Sequence, residues 1–154
     1  MLKRYDILDT PPEESFNSIT LLASHICATP VALIVLIAHD RQWFKAAVGT
    51  RLRETPRAFA FCAHTIMQRG LIIIPDLARD KRFLGNPLVI AGPKVRFYAG
   101  APLITPDNRA LGTLCVIDKV PRTLTAAQKK DLLALSRLVM TELELRRSLR
   151  ERIR

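Results

Sequence analysis

The sequence predicts a single α/β (α+β) domain over residues 1–154, built on a mostly antiparallel sheet. The terminal helices cover one face, and short helices and loops lie over a pocket on the other. Three observations carry this. Amphipathic helical segments bracket the chain. Between them lie apolar runs of strand length separated by turn residues. One long stretch rich in Gly, Pro and Asp interrupts those runs. A sheet face covered by irregular chain is where ligand cavities form.

The first helix follows "DTPPEESF". Thr10 is a capping residue, prolines suit a first turn, and Glu13 stands three residues after Thr10 as in a capping box. Phe16, Ile19, Leu22 or Ala23, and Ile26 recur at helical spacing, and Pro30 ends the segment. "VALIVLIA" (31–38) reads as a buried strand, "HDR" as a turn, and "QWFKAAV" (42–48) as the next strand, closed by Gly49. Residues 61–69 and 75–93 read as short helices and loops on either side of the short strand "LIIIPD" (71–76). "VRFYAGAPLI" and "ALGTLCVID" around "TPDN" make a hairpin. The last helix opens with a second capping box, Thr125 and Gln128. Its apolar face, Leu132, Leu133, Leu135, Leu138, Val139, Met140 and Leu143, is broad. Beyond it only Leu145, Leu149 and Ile153 remain among arginines, so 144–154 reads as an outgoing signalling helix.

At 154 residues and 49% hydrophobic content the chain suits one domain with a full core. No apolar run approaches the ~18 residues of a membrane span, and no signal-peptide pattern opens the chain. The expected location is cytoplasmic, with no membrane partner. Cys27, Cys62 and Cys115 are odd in number and form no CxxC, which argues against a disulfide framework or structural zinc. The net charge of +10 invites a nucleic-acid reading. Its distribution opposes one, because the last ten residues carry +4 of it and the rest is scattered without a basic stripe.

Several segments together resemble a known family: "YDILDTPPEESFNSIT", "DRQWFKAAVG", "ETPRAFAFCAHTI", "PDLARDKRFLGNPLV", "VRFYAGAPLITPDNRALGTLCVID" and "LTAAQKKDLLALSRLV". They are similar to a bacterial GAF domain of the subtype found ahead of sensor histidine kinases and diguanylate cyclases. The resemblance runs over residues 5–147. It implies a sheet of five or six antiparallel strands, a small-molecule pocket on one face and a homodimer through the terminal helices. It also implies a downstream kinase or cyclase output domain, and no catalysis by the domain itself. The function expected is therefore a regulatory sensor in signal transduction, and not an enzyme. The alternative is a small cysteine-dependent redox enzyme of the free methionine-R-sulfoxide reductase type. No cofactor is specified.

The expected ligand site comprises Trp43, Phe61, Cys62, His64, Arg96, Tyr98 and Cys115. In a strand Trp43 and Phe44 face opposite ways, as do Phe97 and Tyr98, so half of the aromatic set is core and half lines the pocket. Arg96, beside Tyr98, suits an anionic group; its plainer reading is an ion pair with Asp76 or Asp80. Cys62 and His64, two residues apart, do not form a nucleophile–base pair on a helix. Their plainer reading is a small buried thiol and a hydrogen-bonded histidine. The Cys-Ala-His spacing also departs from the adjacent Cys-His of the bilin-binding relatives. Asp76, Asp80 and Asn86 lack calcium-loop spacing and suit backbone capping.

Overall fold

The computed structural model describes residues 5–56, 70–83, 85–86 and 94–153. The elements, in chain order, are α1 (Glu14–Cys27), β1 (Val31–Ile37), β2 (Arg41–Val48), β3 (Glu54–Pro56), β4 (Ile72–Ile74), β5 (Phe97–Ile104), β6 (Ala110–Asp118) and α2 (Ala126–Ile153). The six strands form one sheet in the order β3-β2-β1-β6-β5-β4, and every pairing is antiparallel. This is an α+β fold with an open six-stranded sheet and helices at its termini.

The capping box expected at Thr10 and Glu13 is absent. Glu13 is itself the N-cap and makes no side-chain cap bond. The prolines explain the shift: each disfavours helical geometry in the residue before it, so Thr10 and Pro11 stay outside the helix, which opens later. The second capping box is present. Gln128 Oε1 accepts from Thr125 N at 2.8 Å, and Thr125 Oγ1 accepts from Gln128 N at 3.1 Å. The hairpin also forms, with Asn108 in the left-handed region at φ 63.

Alternation along the strands divides the buried side chains into two cores. On the helix side, Ala32, Ile34 and Leu36 of β1 join Phe97, Ala99, Leu114 and Val116, packed against Phe16, Ile19, Leu132, Val139 and Leu143 of the helices. On the other side lie Leu33, Val35, Phe44, Tyr98 and Cys115, with Ile72, Ile74, Leu77 and Phe83 beyond them. A bulge interrupts this rhythm in β2. Ile34 pairs with Ala46 and Val35 with Phe44, leaving Lys45 as the extra residue. A bulge turns two consecutive side chains to one side. Lys45 and Ala46 both face the helices.

Strand β3 went unanticipated. It is three residues long, largely exposed, contains Pro56 and sits at the sheet edge, so it carries none of the apolar alternation that marks a strand. Leu138, assigned by periodicity to the buried face of α2, is 51% exposed. It shares an outward stripe with Leu145 and Leu149, each 50% exposed.

Candidate functional site

On the sheet face away from the terminal helices lies a cavity of about 270 Å³. Its floor is strand. Leu33 and Val35 come from β1, Phe44 from β2, Tyr98 from β5, and Cys115 and Ile117 from β6. Gln42, Thr50 and Thr55 add polar groups at one side, and exposed Lys119 stands at the rim.

Tyr98 is fully buried and lies back along its own strand. A Cβ on Gly100 would sit 2.3 Å from the Tyr98 hydroxyl, so glycine at that position is what lets the ring lie flat on the sheet. Cys115 pairs in register with Leu33 and Gly100, and its thiol is fully buried.

Gln42 is 4% exposed and shares its strand face with Phe44. Its Nε2 donates to Thr55 Oγ1 at 2.8 Å, linking β2 to β3. Its Oε1 is buried without a hydrogen-bond partner, alone in this among the described residues.

Of the expected site residues, Tyr98 and Cys115 meet in this cavity. Phe61, Cys62 and His64 lie outside the described residues. Trp43 goes to the other side: its ring belongs to the helix-side core, and its neighbour Phe44 takes the cavity wall. Alternation separates the two rings but does not say which faces which way. Arg96 precedes β5, donates from Nη1 to Val95 O at 3.0 Å, and is not among the described lining residues, where Val95 stands instead. Asp80 pairs with Arg82 at 2.8 Å, and Asp76 and Asp80 each accept a backbone N–H two residues on, as capping predicts. Gln42 was missed in the sequence, although its spacing of two from Phe44 was the available signal.

The opposite face holds a charge network. The Lys45 side chain is fully buried, and its Nζ donates to Thr10 Oγ1 (2.8 Å), Pro11 O (2.7 Å) and Glu13 Oε2 (2.5 Å). Glu13 Oε2 also accepts from Arg146 Nε of α2 at 3.0 Å. Arg146 Nη1 in turn donates to the carbonyls of Tyr5 and Asp6, and Arg150 pairs with Asp6. Burial pushes the Lys45 pKa below its ordinary value, and the Glu13 carboxylate only partly opposes this. Burial also resists charge on Glu13, but the bonds and charges of Lys45 and Arg146 outweigh it and hold Glu13 below its ordinary value. Cys27, at the end of α1, is pushed up to about 11 by burial, which leaves it an inert thiol.

A larger groove of about 630 Å³ runs between the β5–β6 hairpin and α2, past Pro102, Ile104, Met140 and Glu144. It is more open than the sheet cavity. Among the described residues, no cluster of three or more His, Cys, Asp or Glu is placed to hold a metal, and no helix is long and apolar enough to cross a membrane.

The chain matches the GAF domain family over residues 11–143 and belongs to it. It is 42% identical over 143 residues to a cyclic di-GMP phosphodiesterase of Pseudomonas aeruginosa, a match that spans 92% of this chain and 24% of that protein. Among solved structures it resembles a domain of a two-component sensor histidine kinase protein from Sinorhizobium meliloti (TM-score 0.73, 17% identity, 92% of this chain and 97% of that one). It also resembles the free methionine-R-sulfoxide reductase of Neisseria meningitidis (TM-score 0.70, 11% identity, 96% and 88%). At such identities the structural likenesses show the fold alone. The Pseudomonas relative corrects one expectation. The sequence suggested a protein that is not an enzyme, whereas this relative is named as one, with the matching region forming about a quarter of it.

Proposed function

We propose that the chain is a regulatory sensor unit: a small molecule occupies the sheet cavity, and occupancy is passed to the terminal helices. The cavity of about 270 Å³ carries this reading, because it is apolar, walled by rigid strands and supplied with few polar groups. Phe61, Cys62 and His64 are proposed to complete its wall. The β2 bulge supports transmission. Phe44 lines the cavity, and the next residue, Lys45, is fixed to Glu13 and through it to Arg146 on α2. A ligand that shifts Phe44 therefore strains a charged linkage to the outgoing helix.

The likeness to a cyclic di-GMP phosphodiesterase suggests the output: hydrolysis of that nucleotide in a cytoplasmic protein of which this chain is one part, with a kinase or cyclase output as the other choices. Fragment screening by methyl NMR tests the pocket. Hits should shift Leu33, Val35 and Ile117, and Cys115→Phe should abolish them. Hits confined to the groove beside α2 would defeat the reading.

A homodimer through the terminal helices belongs to the same proposal. Leu138, Leu145 and Leu149 form one exposed stripe at coiled-coil spacing. Arg146, Arg147 and Arg150 each pair within the chain, which reduces arginine repulsion across such a dimer. Sedimentation should show a dimer that Leu138→Asp weakens at least ten-fold. A strict monomer at high concentration would remove this part.

A further inference from the structure

We infer that Gln42 is the polar anchor of the sheet cavity, and that its ligand is a small, flat molecule presenting one N–H donor to Gln42 Oε1. This rests on the ligand-sensor reading above and specifies what that ligand must be. Gln42 is 4% exposed and sits on the wall between Phe44 and Thr55. The 2.8 Å bond from Nε2 to Thr55 Oγ1 holds one end of the amide, so in this orientation the other end presents an acceptor. That acceptor has no partner. A buried carbonyl oxygen without a donor bears its desolvation penalty in full, and a ligand N–H removes it. The cavity is thus lined by one buried acceptor that the protein does not pair.

The rest of the lining fixes the ligand's other properties. Leu33, Val35, Phe44, Tyr98 and Ile117 offer apolar and aromatic surface, which suits a flat unsaturated body. No described residue of the floor carries a charge, so the described floor offers an ionised group no counter-ion. The one cation among the described lining residues, Lys119, is exposed at the rim, which suits an anionic substituent at the solvent end. A cavity of about 270 Å³ limits the buried body to a molecule of roughly two fused rings.

The test uses three probes of nearly one shape in calorimetric titrations of the whole chain: indole, with an N–H donor; indene, with no polar atom; and benzofuran, with an acceptor only. Indole should bind at least ten-fold more tightly than either, about 1.4 kcal/mol. In Gln42→Met the three should agree within two-fold, while thermal unfolding shows the variant folded. Should that variant not fold, Thr55→Val serves instead: it frees the amide to turn, and the preference for indole over benzofuran should collapse. Equal binding of indole and indene to the native chain overturns the anchor but leaves the pocket reading standing. A preference for benzofuran overturns it too, by showing the amide turned the other way. Binding of none of the three overturns the anchor and the pocket reading together.

Discussion

The two faces of the sheet are made from the same strands and solve opposite problems. The helix face is closed: α1 and α2 fill it with apolar side chains, and the deeply buried Lys45 meets three oxygen acceptors. The cavity face is open and leaves a polar atom, Gln42 Oε1, unmet. Strand alternation alone makes this division, and a single bulge residue joins the two sides. The contrast teaches that a buried polar group is not by itself a functional signal. What separates Lys45 from Gln42 is whether the protein supplies the partner.

Core truncation should break the symmetry most visibly. Phe97→Ala, on the filled face, should cost about 3–5 kcal/mol in denaturant unfolding. Phe44→Ala, at the edge of an existing void, should cost about 2 kcal/mol, because fewer atoms lose close neighbours. Equal costs would mean that the cavity face packs as densely as the helix face. Gly100→Ala comes next. The new methyl meets the Tyr98 ring, so stability should fall by about 1–3 kcal/mol and indole affinity should fall with it. A loss of stability with binding intact would take Tyr98 out of the cavity wall.

The charge network sharpens the comparison through pH. Glu13→Gln leaves buried Lys45 with a weaker partner and should cost about 1–3 kcal/mol at pH 7. Because folding holds the Glu13 pKa below 4.5, its contribution is complete above that value and lost as pH falls through the lower folded value. Glu13→Gln should therefore flatten the acid limb of the stability curve. Lys45 acts with the other sign: its folded pKa lies below 10.5, so the stability linked to it rises as pH climbs toward that value. Lys45→Met should cost about 1–3 kcal/mol at pH 7, since it leaves Pro11 O, Thr10 Oγ1 and Glu13 without their shared donor. An unaltered acid limb in Glu13→Gln would show that the network is ornamental. The smallest effect is chemical. With its pKa near 11 and its side chain fully buried, Cys27 should resist alkylation at pH 8 until the chain unfolds.

Much of this arrangement was legible before any coordinates. The terminal helices, the β5–β6 hairpin and the Thr125–Gln128 cap follow from periodicity and turn chemistry, which are local properties of the chain. Which strand face would be covered by helices is not local, and that is why Trp43 was assigned to the cavity in place of Phe44. The bulge at Lys45 is likewise a matter of register between β1 and β2, invisible in either strand alone. Glu13 carried a capping pattern yet serves Lys45 and Arg146, partners 32 and 133 residues away. Gln42 was legible in principle, but a glutamine between arginine and tryptophan carries no pattern until its unpaired oxygen is seen.

The central claim is that occupancy on one face is felt on the other, and side-chain NMR of Arg146 tests it most directly. During a titration with indole, the Arg146 Nε–H resonance should move in step with the methyls of Val35 and Ile117. In Lys45→Met it should stay still while those methyls still respond. An Arg146 signal unmoved in the native chain while the cavity fills would contradict the account.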